Sequence, residues 1–135
     1  MIAKYRTGGT TADAFPSEAQ VADVICAAIR SGVPVKFTAG LHRAIRHTSS
    51  DTGFEHHGYL NVMAGVRVGQ LGGNADQVMV MLRERQASEV VGVVSDWSRA
   101  DIDAVRSTFV SFGCCGVREP LGDAVALGLL SEETP

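Results

Sequence analysis

A strand, a capped helix and a second strand, all within residues 2–39, constrain this chain more than any other feature. Residues 2–6 read as a short strand that stops at Thr7-Gly8-Gly9, a turn signal. Ser17-Glu18-Ala19-Gln20 is a capping box, with Ser for an exposed amide and Gln three residues on. Behind it Val21, Val24, Ile25, Ala28 and Ile29 recur at helical spacing and build one apolar face, and Ser31-Gly32 closes the helix. Residues 33–39 form the next strand, with Pro34 tolerated at its start. These are the proportions of a βαβ unit, which makes parallel strands joined by a right-handed crossover.

The remaining sequence extends that unit. Residues 40–58 read as a long polar loop, a length usually reserved for function. A helix is expected over 59–71 with Leu60, Met63, Ala64 and Val68; Gly65 and Gly69 weaken it, or let a second helix approach closely. A further helix over 75–86 places Val78, Met79 and Leu82 on one face. The β-branched run 89–95 reads as a strand, and Ser98 opens a helix with Ile102, Val105 and Phe109 inward. A strand over 110–113 runs into Gly113-Cys114-Cys115-Gly116, and a helix over 120–127 starts with Pro120 in its first turn and ends at Gly128. At 135 residues, 45% hydrophobic and 20% charged, the expectation is one α/β domain over 1–130, large enough for its own core, with a frayed tail over 131–135.

Charge and cysteine usage narrow the function classes. A net charge of -3 argues against nucleic acid and anionic membrane as partners. No stretch approaches the roughly 18 apolar residues of a membrane span, and the first residues lack the apolar run of a signal peptide. Three cysteines, two of them adjacent and none in a CxxC pair, read as free thiols in a reducing cytoplasm.

Parallel α/β proteins build sites where strands end and loops begin. Lys4 and Arg6 share one face of the first strand, and Lys36 and Thr38 one face of the second, with His42 just beyond; Ser111 and Cys114 mark a third strand end. Two lysines on neighbouring strands set one amine beside a second cation, the arrangement Schiff-base chemistry uses, so Lys4 or Lys36 is a candidate Schiff-base amine. Arg6 is the candidate clamp for an anionic group. His42 is the candidate proton shuttle, and His57 shares that chemistry. A metal site drawn from His42, Glu55, His56 and His57 is the alternative, but no HExxH-type spacing backs it, and neither metal nor cofactor is expected. Gly8-Gly9 and residues 113–116 carry only a weak phosphate-cradle signal.

Several blocks resemble a family of uncharacterised bacterial proteins. They are Lys4-Tyr5-Arg6-Thr7-Gly8-Gly9, Val35-Lys36-Phe37-Thr38-Ala39-Gly40-Leu41-His42, His57-Gly58-Tyr59-Leu60-Asn61-Val62 and Ser111-Phe112-Gly113-Cys114. The chain is similar to the C-terminal half of those longer proteins. The lysines, placed before Thr7-Gly8 and Ala39-Gly40, also resemble the site layout of class I aldolase barrels of the deoxyribose-phosphate aldolase type. The resemblance implies part of a (β/α)8 barrel, with lyase or isomerase chemistry on a small anionic or carbonyl substrate. Lys4, Lys36 and His42 are then the catalytic candidates, and Arg6, Thr38, His57, Asn61 and Cys114 the substrate contacts. A half-barrel exposes strand edges, which implies a homo-oligomer or a second chain that supplies the missing strands. Without catalysis, the chain would be a subunit completing that partner's barrel.

Overall fold

The computed structural model describes residues 1–113 and 118–129. In it the βαβ unit forms as its signals dictate. Strand β1 (Ala3–Arg6) leads through a 3-10 turn at Ala12–Ala14 to helix α1 (Glu18–Ser31), then to strand β2 (Val35–Thr38). The Ser17 hydroxyl accepts from the Gln20 amide at 3.1 Å while the Gln20 side chain accepts from the Ser17 amide at 2.8 Å. Gly32 ends the helix at φ +66°, a left-handed cap that suits glycine.

β1 and β2 are parallel, with Lys4 opposite Lys36 and Arg6 opposite Thr38. The sheet is completed by strand β5 (Phe109–Phe112), which runs parallel to β2 on its other side, giving the order β1-β2-β5. Val35 pairs with Phe109 but Lys36 with Ser111, so Val110 is the extra residue of a bulge. The chain is therefore a mixed α/β domain with a three-stranded parallel sheet, not closed into a barrel, in a partial (β/α) arrangement.

One sheet face carries Val35, Phe37 and Phe109 into the core, where they meet Val21 and Ile25 of α1. The other carries Lys4, Arg6 and Ser111, all exposed, with Lys36 and Thr38 half-buried. Helices α2 (Tyr59–Gln70), α3 (Ala75–Leu82), α4 (Ala87–Ser95) and α5 (Arg99–Thr108) intervene between β2 and β5, and α6 (Arg118–Ala126) follows. The glycines of α2 do permit close approach: a Cβ on Gly65 would meet Val78 of α3 at 3.2 Å, and one on Gly69 would meet Ile29 of α1 at 2.7 Å.

Three expectations need correction. The valine run 89–95 is helix α4, with Val90 buried and Val94 packed beside it; an apolar run this short has no decisive period, and i,i+4 packing on α2 decides it. Ile102 faces outward at 41% exposure, and Phe109 already belongs to β5. Residues 40–58 are a loop for most of their length but also hold an antiparallel hairpin with strands of two residues, β3 (His47–Thr48) and β4 (Glu55–His56), and bury Leu41, Ala44, Arg46 and His57. Among the described residues no helix is long and apolar enough to cross a membrane.

Candidate functional site at the strand carboxyl ends

The ends of β1, β2 and β5 meet at a tight, partly strained junction. A Cβ on Gly8 would lie 2.7 Å from the Gly40 Cα, and one on Gly40 would lie 2.6 Å from the Thr7 carbonyl, so only glycine fits either position. Ala39 adopts φ +60°, and Gly40 follows at φ +82°. The fully buried Thr7 holds that turn: its amide donates to the Thr38 carbonyl at 2.9 Å and its hydroxyl to the Ala39 carbonyl. The left-handed region costs a non-glycine residue about 1–2 kcal/mol. Ala39→Gly relieves this but adds about 0.4–1 kcal/mol of unfolded-chain entropy. We expect a net gain of about 0.5–1 kcal/mol in urea denaturation; an unchanged or lower midpoint would show that the turn stores no strain.

Above this junction opens a cleft of about 760 Å³, within the usual size range for small-ligand sites. Gly9, Ala39, Gly40 and Gly113 bring the three strand ends to it, and Phe15, Phe54, His42, His56, Ser49 and Asp51 close its sides. The hairpin supplies the imidazole row. His56 of β4 stands 5.1 Å from His47 and 6.2 Å from His42, ring centre to ring centre, and 4.6 Å from the Phe15 ring. Burial, and then the neighbouring His47, hold His56 below the ordinary imidazole range, so it is a neutral proton acceptor near pH 7. A second hollow of about 740 Å³ adjoins the first and shares His42, His56, Ser49 and Asp51 with it; Arg43 and Arg85 stand on its far side. Arg43 is paired with Asp123 at 2.8 Å, and Arg85 with Glu55.

The sequence-derived candidates divide into separate groups. His42 lines the cleft. Lys4 and Lys36 are register partners on the open sheet face below it, and neither belongs to the cleft wall. Arg6 stays near the rim: its Nε donates to the Gly8 carbonyl at 2.7 Å, and its guanidinium lies over Gly9. Thr38 gives its carbonyl to Thr7. His57 and Asn61 are both fully buried away from the cleft, with His57 Nε2 donating to the Pro16 carbonyl at 2.7 Å. Cys114 lies outside the described residues.

The four-ligand metal set does not assemble. His57 is directed at Pro16, and Glu55 is held by Arg85 and Thr48. Among the described residues, no three His, Cys, Asp or Glu side chains gather in a way that could hold a metal ion. Sequence reasoning missed Phe15 and Phe54, and it offered His56 only as a metal ligand. Phe15-Pro16 and the doubled His56-His57 were their only local signals, and neither specifies a shared cleft. Set against protein-family models, curated proteins and solved structures, the chain matches none of them.

Proposed function

We propose that this chain is an enzyme acting on a small anionic or carbonyl compound at the carboxyl ends of its parallel strands, by carbon–carbon lyase or isomerase chemistry. The observation that carries the reading is the pair His42 and His56 in a 760 Å³ cleft formed by three strand ends. His42 and the neutral His56 move protons, and Arg6 at the rim attracts the anionic group. Lys36 or Lys4, side by side on the sheet face below the cleft, is the amine of this route: a substrate carbonyl that extends past the rim to that face would take up the amine, lose its oxygen as water and leave an imine. The reading also sets the reaction in the cytoplasm, with the free Cys26 as a thiol.

Borohydride trapping tests it. Reduction in the presence of a panel of aldehydes and ketones is expected to leave a stable adduct on Lys36 or Lys4, located by peptide mass mapping, and His42→Asn is expected to slow turnover of the trapped compound about 10²–10⁴-fold. Absence of an adduct on both lysines would remove the covalent route.

A second reading, a homo-oligomer or a subunit completing a partner's barrel, is favoured by one observation. The sheet face bearing Lys4, Arg6 and Ser111 is uncovered among the described residues, and the outer edges of β1 and β5 pair with no other described strand. Native mass spectrometry of the chain purified from its own cell separates the two forms; a lone monomer would count against both.

A further inference from the structure

The cleft has an aromatic wall set apart from the hydrophobic core. Phe15 and Phe54 lie 5.5 Å apart, ring centre to ring centre, and both are half-buried. Among the described residues, neither belongs to the hydrophobic core or packs against it. They come from different segments, the loop before α1 and the turn of the hairpin, yet both line the 760 Å³ cleft beside His56. Large apolar side chains brought together off the core, next to polar groups, are the usual mark of a recognition surface. The tilt of 50° between the two rings leaves no slot between them, so a flat group would lie across their shared surface. Its other end would reach the histidines, because the Phe15 ring centre is 4.6 Å from that of His56.

We infer that the compound bound here is an aromatic carbonyl acid, its ring against Phe15 and Phe54, its carbonyl at His42 and His56 and its acid group towards Arg6 at the rim. This rests on the cleft being the binding site for an anionic carbonyl compound, and it names the class of that compound. The Phe15–Phe54 wall selects for the ring, and the imidazole pair handles what is attached to it.

Two keto acids that differ by phenyl against methyl test this: phenylglyoxylate and pyruvate, titrated calorimetrically into the full chain. Phenylglyoxylate is expected to bind about tenfold more tightly or better, from ring contact and burial. Phe15→Leu and Phe54→Leu keep apolar bulk but remove the flat surface, and each is expected to shrink that ratio, with thermal melting confirming the fold. Equal affinities in the wild-type chain, or a preference for pyruvate, would overturn the aromatic inference and leave the anionic-carbonyl reading standing. A ratio unchanged in both leucine variants would place the ring elsewhere and overturn it as well. Binding of neither acid would sink both readings.

Discussion

Replacing Asn61 by leucine is expected to lower the free energy of unfolding by about 3–5 kcal/mol. Asn61, in the first turn of α2, is fully buried, and both ends of its amide are in use. Its carbonyl oxygen accepts from the Arg46 amide at 2.8 Å, and its nitrogen donates to the Met81 and Glu84 carbonyls at 2.8 and 2.7 Å. One side chain thus ties the entry to the β3–β4 hairpin, helix α2 and the end of α3. Leucine fills similar space but orphans the Arg46 amide and the Glu84 carbonyl, each worth about 1–3 kcal/mol when buried, and leaves the Met81 carbonyl with only its 3.4 Å bond from the Glu84 amide. Aspartate fails differently: it still accepts from Arg46 but sets an oxygen against two carbonyls. Gly58 is part of the same joint, since a Cβ there would overlap the Ala44 carbonyl and the Asn61 amide. Urea denaturation followed by circular dichroism checks the expectation. A variant that kept its stability but lost ligand affinity would return Asn61 to the substrate contacts.

That contrast shows why some of this fold is legible in the sequence and some is not. The βαβ unit is legible because each signal is local and redundant: the Ser17–Gln20 box, the 3–4 spacing from Val21 to Ile29 and the Gly32 cap all favour one outcome. The valine run 89–95 carries no such redundancy, and its helical state is settled by packing on α2. The hairpin escapes notice because strands of two residues have no period to read. The cleft is the least legible part, since Phe15, His42 and Phe54 come from three segments that only the folded chain joins. Polar residues mislead for a related reason. Asn61 and His57 look like ligand contacts in a sequence, but burial turns them inward to serve the main chain. Lys4 and Lys36, by contrast, could be placed on one face from strand alternation alone, and their register follows from parallel pairing.

His57 makes the second large prediction. It is fully buried, and its Nε2 donates to the Pro16 carbonyl at 2.7 Å; a carbonyl only accepts, so Nε2 carries a proton. Burial, and then the nearby Arg46 guanidinium, push its pKa down to about 4. Arg46 is itself nearly buried, paired with Glu18 at 3.2 Å and held below its ordinary value by the same loss of water. In the unfolded chain the imidazole titrates near 6.5. Between these values the unfolded state binds a proton that the folded state refuses, so stability is complete above about pH 6.5, falls as pH drops towards about 4, and changes no further below that on account of this group. One proton corresponds to about 1.4 kcal/mol per pH unit, so the chain is expected to lose about 2 kcal/mol between pH 7 and pH 5 and about 3 kcal/mol in all. Carboxylates such as Asp101, held low by the Ser98 amide and by Arg67, add their losses at lower pH, below the ordinary carboxylate range. His56 adds a loss of the same sign within the His57 window. His57→Gln isolates the larger part: its amide can still donate to Pro16 but does not titrate, so most of the slope between pH 7 and pH 5 should vanish. Urea denaturation at half-unit steps of pH measures both chains. A wild-type profile flat between pH 7 and pH 5, or a slope the glutamine variant retains in full, would show that His57 is not the buried neutral imidazole on which the hairpin rests.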